Sequence, residues 1–146
     1  ILLVIHGIIG DTKLMLKNLD FLIKEKHYDL ILTFDYENIY SSIEEVASIL
    51  NTKLIDYGLG VNDGKELDIL AHSVGGLVSR YLIEQIRKGD DLVDYLFMFG
   101  TPNGGAVFQD IHAFRDILFK LLTIADIQIS FRKQDLHIHQ IEELYV

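Results

Sequence analysis

The sequence contains no cysteine, which excludes disulfide bonds, a thiol nucleophile and metal sites built on thiolates. The absence of cysteine fits a reducing compartment and favours a soluble, cytoplasmic protein. Basic residues are also scarce: 13 of them against 22 acidic residues give a net charge of -9, which repels phosphate backbones and anionic lipid head groups. We therefore expect no nucleic-acid partner.

Long apolar runs are missing too. No stretch approaches the roughly 20 apolar residues that a membrane span needs, and the five apolar residues at the start are too few for the core of a signal sequence. The 146 residues are nevertheless 49% hydrophobic, enough to bury a real core within one domain. Because the chain starts inside a predicted strand and without methionine, we expect the natural protein to extend further on the N-terminal side.

Short apolar runs alternate regularly with amphipathic segments. The runs predict strands at Ile1–Ile5, Tyr28–Phe34, Leu67–Ala71 and Tyr95–Phe99. Helical spacing of apolar residues follows each run, which predicts four helices. Because no hairpin turn joins successive strands, the pattern predicts a three-layer α/β/α sandwich with a mostly parallel sheet.

Local signals set several helix boundaries. Asp11 or Thr12 can begin the first helix, and Ser41 or Ser42 with Glu44 or Glu45 forms a capping box for the second. The third helix is predicted to end at Gly89 in the left-handed conformation. A fourth helix is expected over residues 107–125, and alternation over 127–131 predicts a further, more exposed strand.

The strand Leu67–Ala71 passes into a helix within about three residues, and Ser73 lies at the apex of this turn. So tight a turn strains the backbone of the apex residue and requires small neighbours, which Ala71 and Gly75 provide. An apex of this kind holds a serine hydroxyl clear of the sheet and directs backbone N–H groups towards a substrate oxygen. The alternative is a serine that merely caps the following helix.

The hexapeptide Ala-His-Ser-Val-Gly-Gly at 71–76 resembles the nucleophile elbow of lipases and esterases of the α/β-hydrolase superfamily, with Ala71 in place of the first glycine of the pattern. The segment 2–8, with His6-Gly7, resembles the strand and His-Gly loop that carries an oxyanion donor in that family. The segment 96–105 resembles its Gly-Thr-Pro loop, with Asn103 where relatives often have histidine. The three segments follow the order of the family and cover the chain to about Gly105.

The resemblance implies one α/β-hydrolase-like domain over residues 1–146, incomplete at both ends. It implies an ester hydrolase in which Ser73 is the nucleophile and the backbone N–H groups of Ile8 and Val74 hold the oxyanion, with no cofactor and no metal. The expected substrate is a small-molecule ester or lipid with an apolar acyl or alcohol part. A thioesterase or an acyltransferase would share these features, and a non-catalytic interaction module would keep the elbow without the base.

The rest of the catalytic triad is harder to find. Family order is serine, acid, histidine, which leaves Asp135 as the candidate acid, because it follows the strand predicted at 127–131 after a short loop. The alternative is that Asp135, in a polar run, is a solvated surface residue. His137 and His139 follow too closely to serve as the base, and such a pair alone seldom makes a metal site. His112 falls in a predicted helix and is expected to be structural. We expect the catalytic histidine to lie beyond Val146 or in a segment that this sequence lacks.

Overall fold

The computed structural model describes residues 1–7, 12–17, 19, 25, 27–36, 41–60, 64–88, 90–104 and 135–139. Five strands form one sheet in the order β4-β3-β1-β2-β5. The strands are β1 Leu2–Ile5, β2 Ile31–Asp35, β3 Leu67–His72, β4 Val93–Phe99 and β5 Asp135–His139. Strands β1 to β4 run parallel, and β5 pairs antiparallel with β2 at one edge.

Helices cover both faces of this sheet. They are α1 Thr12–Lys17, α2 Ile43–Asp56 and α3 Val74–Tyr81, the last continuing as a π-helical segment over Leu82–Arg87. Alternate residues of β1 explain the layers: Leu2 and Val4 lie in a cluster with Leu16 of α1, whereas Leu3 and Ile5 lie in the larger cluster with α2 and α3. Both faces of β1 and β2 are fully buried, which is why these strands are continuous apolar runs. The predicted α/β class is confirmed.

Most predicted element boundaries hold to within a few residues. The capping box is Ser42 with Glu45: the Glu45 N–H donates to Ser42 Oγ at 3.2 Å, and the Ser42 N–H donates to Glu45 Oε2 at 2.9 Å. Lys88, which follows the third helix, has the left-handed conformation, and the expected cap Gly89 lies outside the described residues. The preceding residue Arg87 is bonded to Asp90 and to the Leu59 carbonyl, and these bonds fix the end of the helix.

Two predicted elements, the helix over 107–125 and the strand over 127–131, lie outside the described residues. Asp135 begins β5 and pairs with Asp35 at the end of β2. None of the helices in the described part of the chain has the length and apolar character needed to cross a bilayer.

A tyrosine–aspartate bond stabilises the opposite end of the sheet from Ser73. Tyr28→Phe is expected to lower the free energy of unfolding by about 1 kcal/mol at neutral pH, because the Tyr28 hydroxyl donates to Asp68 Oδ2 at 2.7 Å. Partial burial, together with the bond and charge of Asp68, raises the pKa of Tyr28 from 10.0 to about 12. A pKa raised in the folded state gives stability that is complete below pH 10 and lost as the pH rises towards 12.

The measurement is urea unfolding of the parent and Tyr28→Phe proteins at pH 7, 9 and 11. The difference in free energy should be constant between pH 7 and 9 and smaller at pH 11. If the difference in unfolding free energy were as large at pH 11 as at pH 7, the hydrogen bond from Tyr28 to Asp68 would not be its cause.

Candidate functional site

The connections between successive strands run in opposite directions from β1 and from β3, which are neighbours in the sheet. The chain leaves β1 through α1 on one face to reach β2, and leaves β3 through α3 on the other face to reach β4. The connections therefore diverge at the carboxyl ends of two neighbouring parallel strands, and ligands of open α/β sheets bind in the crevice that such a divergence creates. Gly7 follows β1 at this point, and Ser73 follows β3.

Ser73 has a backbone conformation that L-residues rarely adopt, with φ 53° and ψ −123°. Its N–H donates to the Phe99 carbonyl at 2.8 Å, which ties the turn to the end of β4. The Ser73 side chain makes no capping hydrogen bond to α3, so the helix-cap alternative is wrong. The residue is partly exposed instead of being buried in the core. A strained residue at a ligand-binding edge of a sheet is typical of a functional site.

Three glycines allow the close packing around Ser73. A methyl group added to Gly7 would lie 2.6 Å from Ser73 Cβ, and one added to Gly75 would lie 2.5 Å from the His6 carbonyl oxygen and 2.9 Å from that of Ile5. Gly76 packs against the side chain of Thr101 in the loop after β4, leaving no space for a Cβ. The end of β1, the start of α3 and the Thr101 loop therefore meet around one serine.

The structure describes one of the two expected oxyanion donors, Val74. Val74 is the first residue of α3, where a backbone N–H has no acceptor within its own helix and the helix dipole favours negative charge. Ile8 lies outside the described residues. Its neighbour Gly7 lies directly against Ser73.

His6 is buried, and its ring hydrogen-bonds the neighbouring backbone, as expected from the sequence. The Tyr36 N–H donates to Nε2 at 3.2 Å, so Nε2 carries no proton; Nδ1 then carries it and donates to the Gly7 carbonyl at 2.5 Å. His6 Nε2 also lies 3.6 Å from Asp35 Oδ1. The bonds of the His6 ring to the Gly7 carbonyl and the Tyr36 N–H stabilise the backbone at the end of β1.

The loop after β4 is fixed by contacts from α3. Arg80 forms two bonds with Glu84 and donates a third from Nη1 to Asn103 Oδ1 at 3.1 Å. Asn103 thus anchors the loop to α3. The Thr101 hydroxyl is buried and has no hydrogen-bond partner among the described residues.

An exposed row of aromatic side chains borders Ser73 on β4. Tyr95, Phe97 and Phe99 are 62%, 44% and 58% exposed, and the rings of Tyr95 and Phe97 stack at 6.0 Å. Phe99 is paired with His72, the residue before Ser73. Apolar surface of this kind beside a polar site is typical of ligand-binding regions.

The candidate acid does not lie near Ser73. Strands β1 and β2 separate β3 from β5, which at about 4.8 Å per strand places the Asp135 backbone about 14 Å to the side of the serine strand. This position does not favour Asp135 as the acid that orients the base. His137 and His139 share this edge strand, opposite Thr33 and Ile31, and His112 lies outside the described residues. Among the described side chains, none hydrogen-bonds the Ser73 hydroxyl.

Sequence reasoning missed a buried polar cluster at the ends of β1 and β2, formed by Thr12, Asp35 and Tyr36 around His6. The pattern placed Asp35 and Tyr36 in an ordinary loop. The available signal was their position directly after an apolar strand, at the edge where ligands bind.

The fold and site define a three-layer α/β protein with a strained serine at the divergence point of a parallel sheet. The chain belongs to the family described as a domain of unknown function, DUF7379, which matches residues 1–140. No curated protein matches the chain.

Proposed function

We propose that this protein is a serine hydrolase that cleaves carboxylic esters through an acyl-enzyme on Ser73, as the resemblance to lipases and esterases of the α/β-hydrolase superfamily implies. The observation that carries the proposal is the strained backbone of Ser73 at the sheet divergence, packed against Gly7. Strain of this size, roughly 1–3 kcal/mol, persists where the surrounding structure enforces it, and such positions cluster at active sites.

In the proposed reaction, Ser73 Oγ attacks the ester carbonyl carbon while a histidine base accepts its proton. The N–H groups of Val74 and Ile8 stabilise the tetrahedral oxyanion, and its collapse expels the alcohol, which takes the proton from the histidine. Water then attacks the acyl-enzyme by the same route and releases the acid. No described side chain hydrogen-bonds Ser73, so the residue that acts as the base is not assigned.

The surroundings of Ser73 support an apolar substrate. Phe97 and Phe99 expose their rings next to the serine turn, and burying such a ring against an acyl or alcohol chain is favourable by roughly 25 cal/mol per Å² of apolar area. The net charge of -9 disfavours polyanionic substrates. A thioesterase or acyltransferase would use the same serine and oxyanion donors and differ only in the leaving group or the acceptor.

The experiment is labelling of the natural full-length protein with a fluorophosphonate probe, which reacts only with an activated serine. We expect the parent protein to be labelled and Ser73→Ala not to be labelled. The matched control is Ser48→Ala, since Ser48 is exposed on α2 and its hydroxyl donates to the Glu44 carbonyl; this variant should be labelled as the parent is. Absence of labelling in the folded parent would overturn the enzyme proposal and favour a non-catalytic module.

A further inference from the structure

The end of β1 is clamped between a tyrosine and the elbow helix. The Tyr36 hydroxyl donates to the His6 carbonyl oxygen at 3.0 Å, and the Tyr36 ring stacks on the His6 ring at 4.6 Å. On its other side the same carbonyl oxygen lies against Gly75, where a methyl group would approach it to 2.5 Å. Burial raises the pKa of Tyr36 above its usual value, so the hydroxyl stays protonated and able to donate.

The chain beyond this point is anchored again at the start of α1. Asp35 Oδ1 accepts bonds from the Thr12 N–H at 3.2 Å and from the Thr12 hydroxyl at 2.9 Å, and both residues are buried. Asp35 and Tyr36 are consecutive residues at the end of β2. One dipeptide therefore holds both His6, which follows β1, and Thr12, which begins α1.

We infer that Tyr36 and Asp35 are positioning residues that set the backbone after β1 at a fixed distance from Ser73. The inference rests on the proposed function, in which the amide after Gly7 is an oxyanion donor. A donor contributes fully only when it is held at the site of the developing charge, and a displacement of about 1 Å can lower the rate about a hundredfold. Neither side chain touches the substrate.

The test is Tyr36→Phe, which removes the hydroxyl and keeps the stacked ring. We expect kcat for hydrolysis of p-nitrophenyl butyrate to fall about 10-fold to 100-fold, with KM within about twofold, because the oxyanion is formed only in the transition state. Tyr28→Phe is the matched control, since it removes a tyrosine hydroxyl bonded to an aspartate at the far end of the sheet. Its kcat should equal that of the parent.

A second pair of variants tests the other anchor without changing the aromatic stack. Thr12→Val removes the hydroxyl donor to Asp35 and should lower kcat about 3-fold to 10-fold, whereas Thr12→Ser keeps the donor and should restore it. Normal kcat in both Tyr36→Phe and Thr12→Val would overturn the positioning role while Ser73 labelling still stands. A parent protein that neither labels nor hydrolyses the ester would overturn both proposals.

Discussion

Ser73→Gly is expected to abolish ester hydrolysis and at the same time to stabilise the fold. The reaction loses its nucleophile, so kcat should fall by at least about a thousandfold. The backbone of residue 73, however, has φ 53° and ψ −123°, which glycine adopts readily and L-residues do not. Relief of roughly 1–3 kcal/mol of strain, less roughly 0.5–1 kcal/mol for the greater entropy of unfolded glycine, leaves a gain of about 1 kcal/mol.

Ser73→Ala separates the two effects. Alanine also lacks the hydroxyl but retains a Cβ, so this variant should be inactive without becoming more stable than the parent. The measurements are ester turnover and urea unfolding followed by circular dichroism for the three proteins. If Ser73→Gly proved no more stable than Ser73→Ala, the strained conformation would be wrong, and the main support for an active serine would be lost.

Gly75→Ala is expected to have the largest effect on stability, lowering the free energy of unfolding by about 3 kcal/mol. The new Cβ would lie 2.5 Å from the His6 carbonyl oxygen, 2.9 Å from the Ile5 carbonyl oxygen and 3.0 Å from Ile5 Cγ2. Two of these atoms belong to the backbone of a central strand and cannot rotate away. Either α3 moves off the sheet or β1 is displaced, and both changes also separate Ser73 from the end of β1. Activity should fall along with stability.

Gly60→Ala is the control for this prediction. A Cβ at Gly60 would meet no atom of the described residues within 4 Å, and the φ of Gly60 does not lie in the left-handed region. Its unfolding free energy should match that of the parent or exceed it by up to about 1 kcal/mol, because alanine restricts the unfolded chain. Both variants are compared with the parent by urea unfolding. Equal stability of Gly75→Ala and Gly60→Ala would show that α3 does not pack as closely on β1 as the structure has it.

The sequence alone predicted the elements that depend on local patterns. Apolar runs gave the four parallel strands, and helical spacing located α1, α2 and α3, because side-chain periodicity along the chain directly follows strand and helix geometry. The capping box was found in the same way, since Ser42 and Glu45 are three residues apart and interact only with each other's backbone. The small residues around Ser73 also marked the tight turn before its strained conformation was known.

The sequence could not place residues whose roles depend on distant partners. The antiparallel pairing of Asp135 with Asp35, for example, joins residues that are far apart in the sequence, and no local pattern indicates it. Asp35 and Tyr36 looked like ordinary loop residues, and only the neighbouring positions of β1 and β2 bring them to His6 and Thr12. The left-handed conformation of Lys88 was not predicted either, and its neighbour Arg87 bonds the carbonyl of the distant residue Leu59.

For this protein, then, the amino-acid sequence by itself determined which segments are strands and helices and which serine lies at the turn between β3 and α3. The tertiary structure decided which strand ends meet: Gly7 lies against Ser73, the His6 carbonyl lies between Tyr36 and Gly75, and β5 occupies the far edge. The physical reason is that periodicity encodes the geometry of one segment, whereas strand order arises from burying the faces of all segments together.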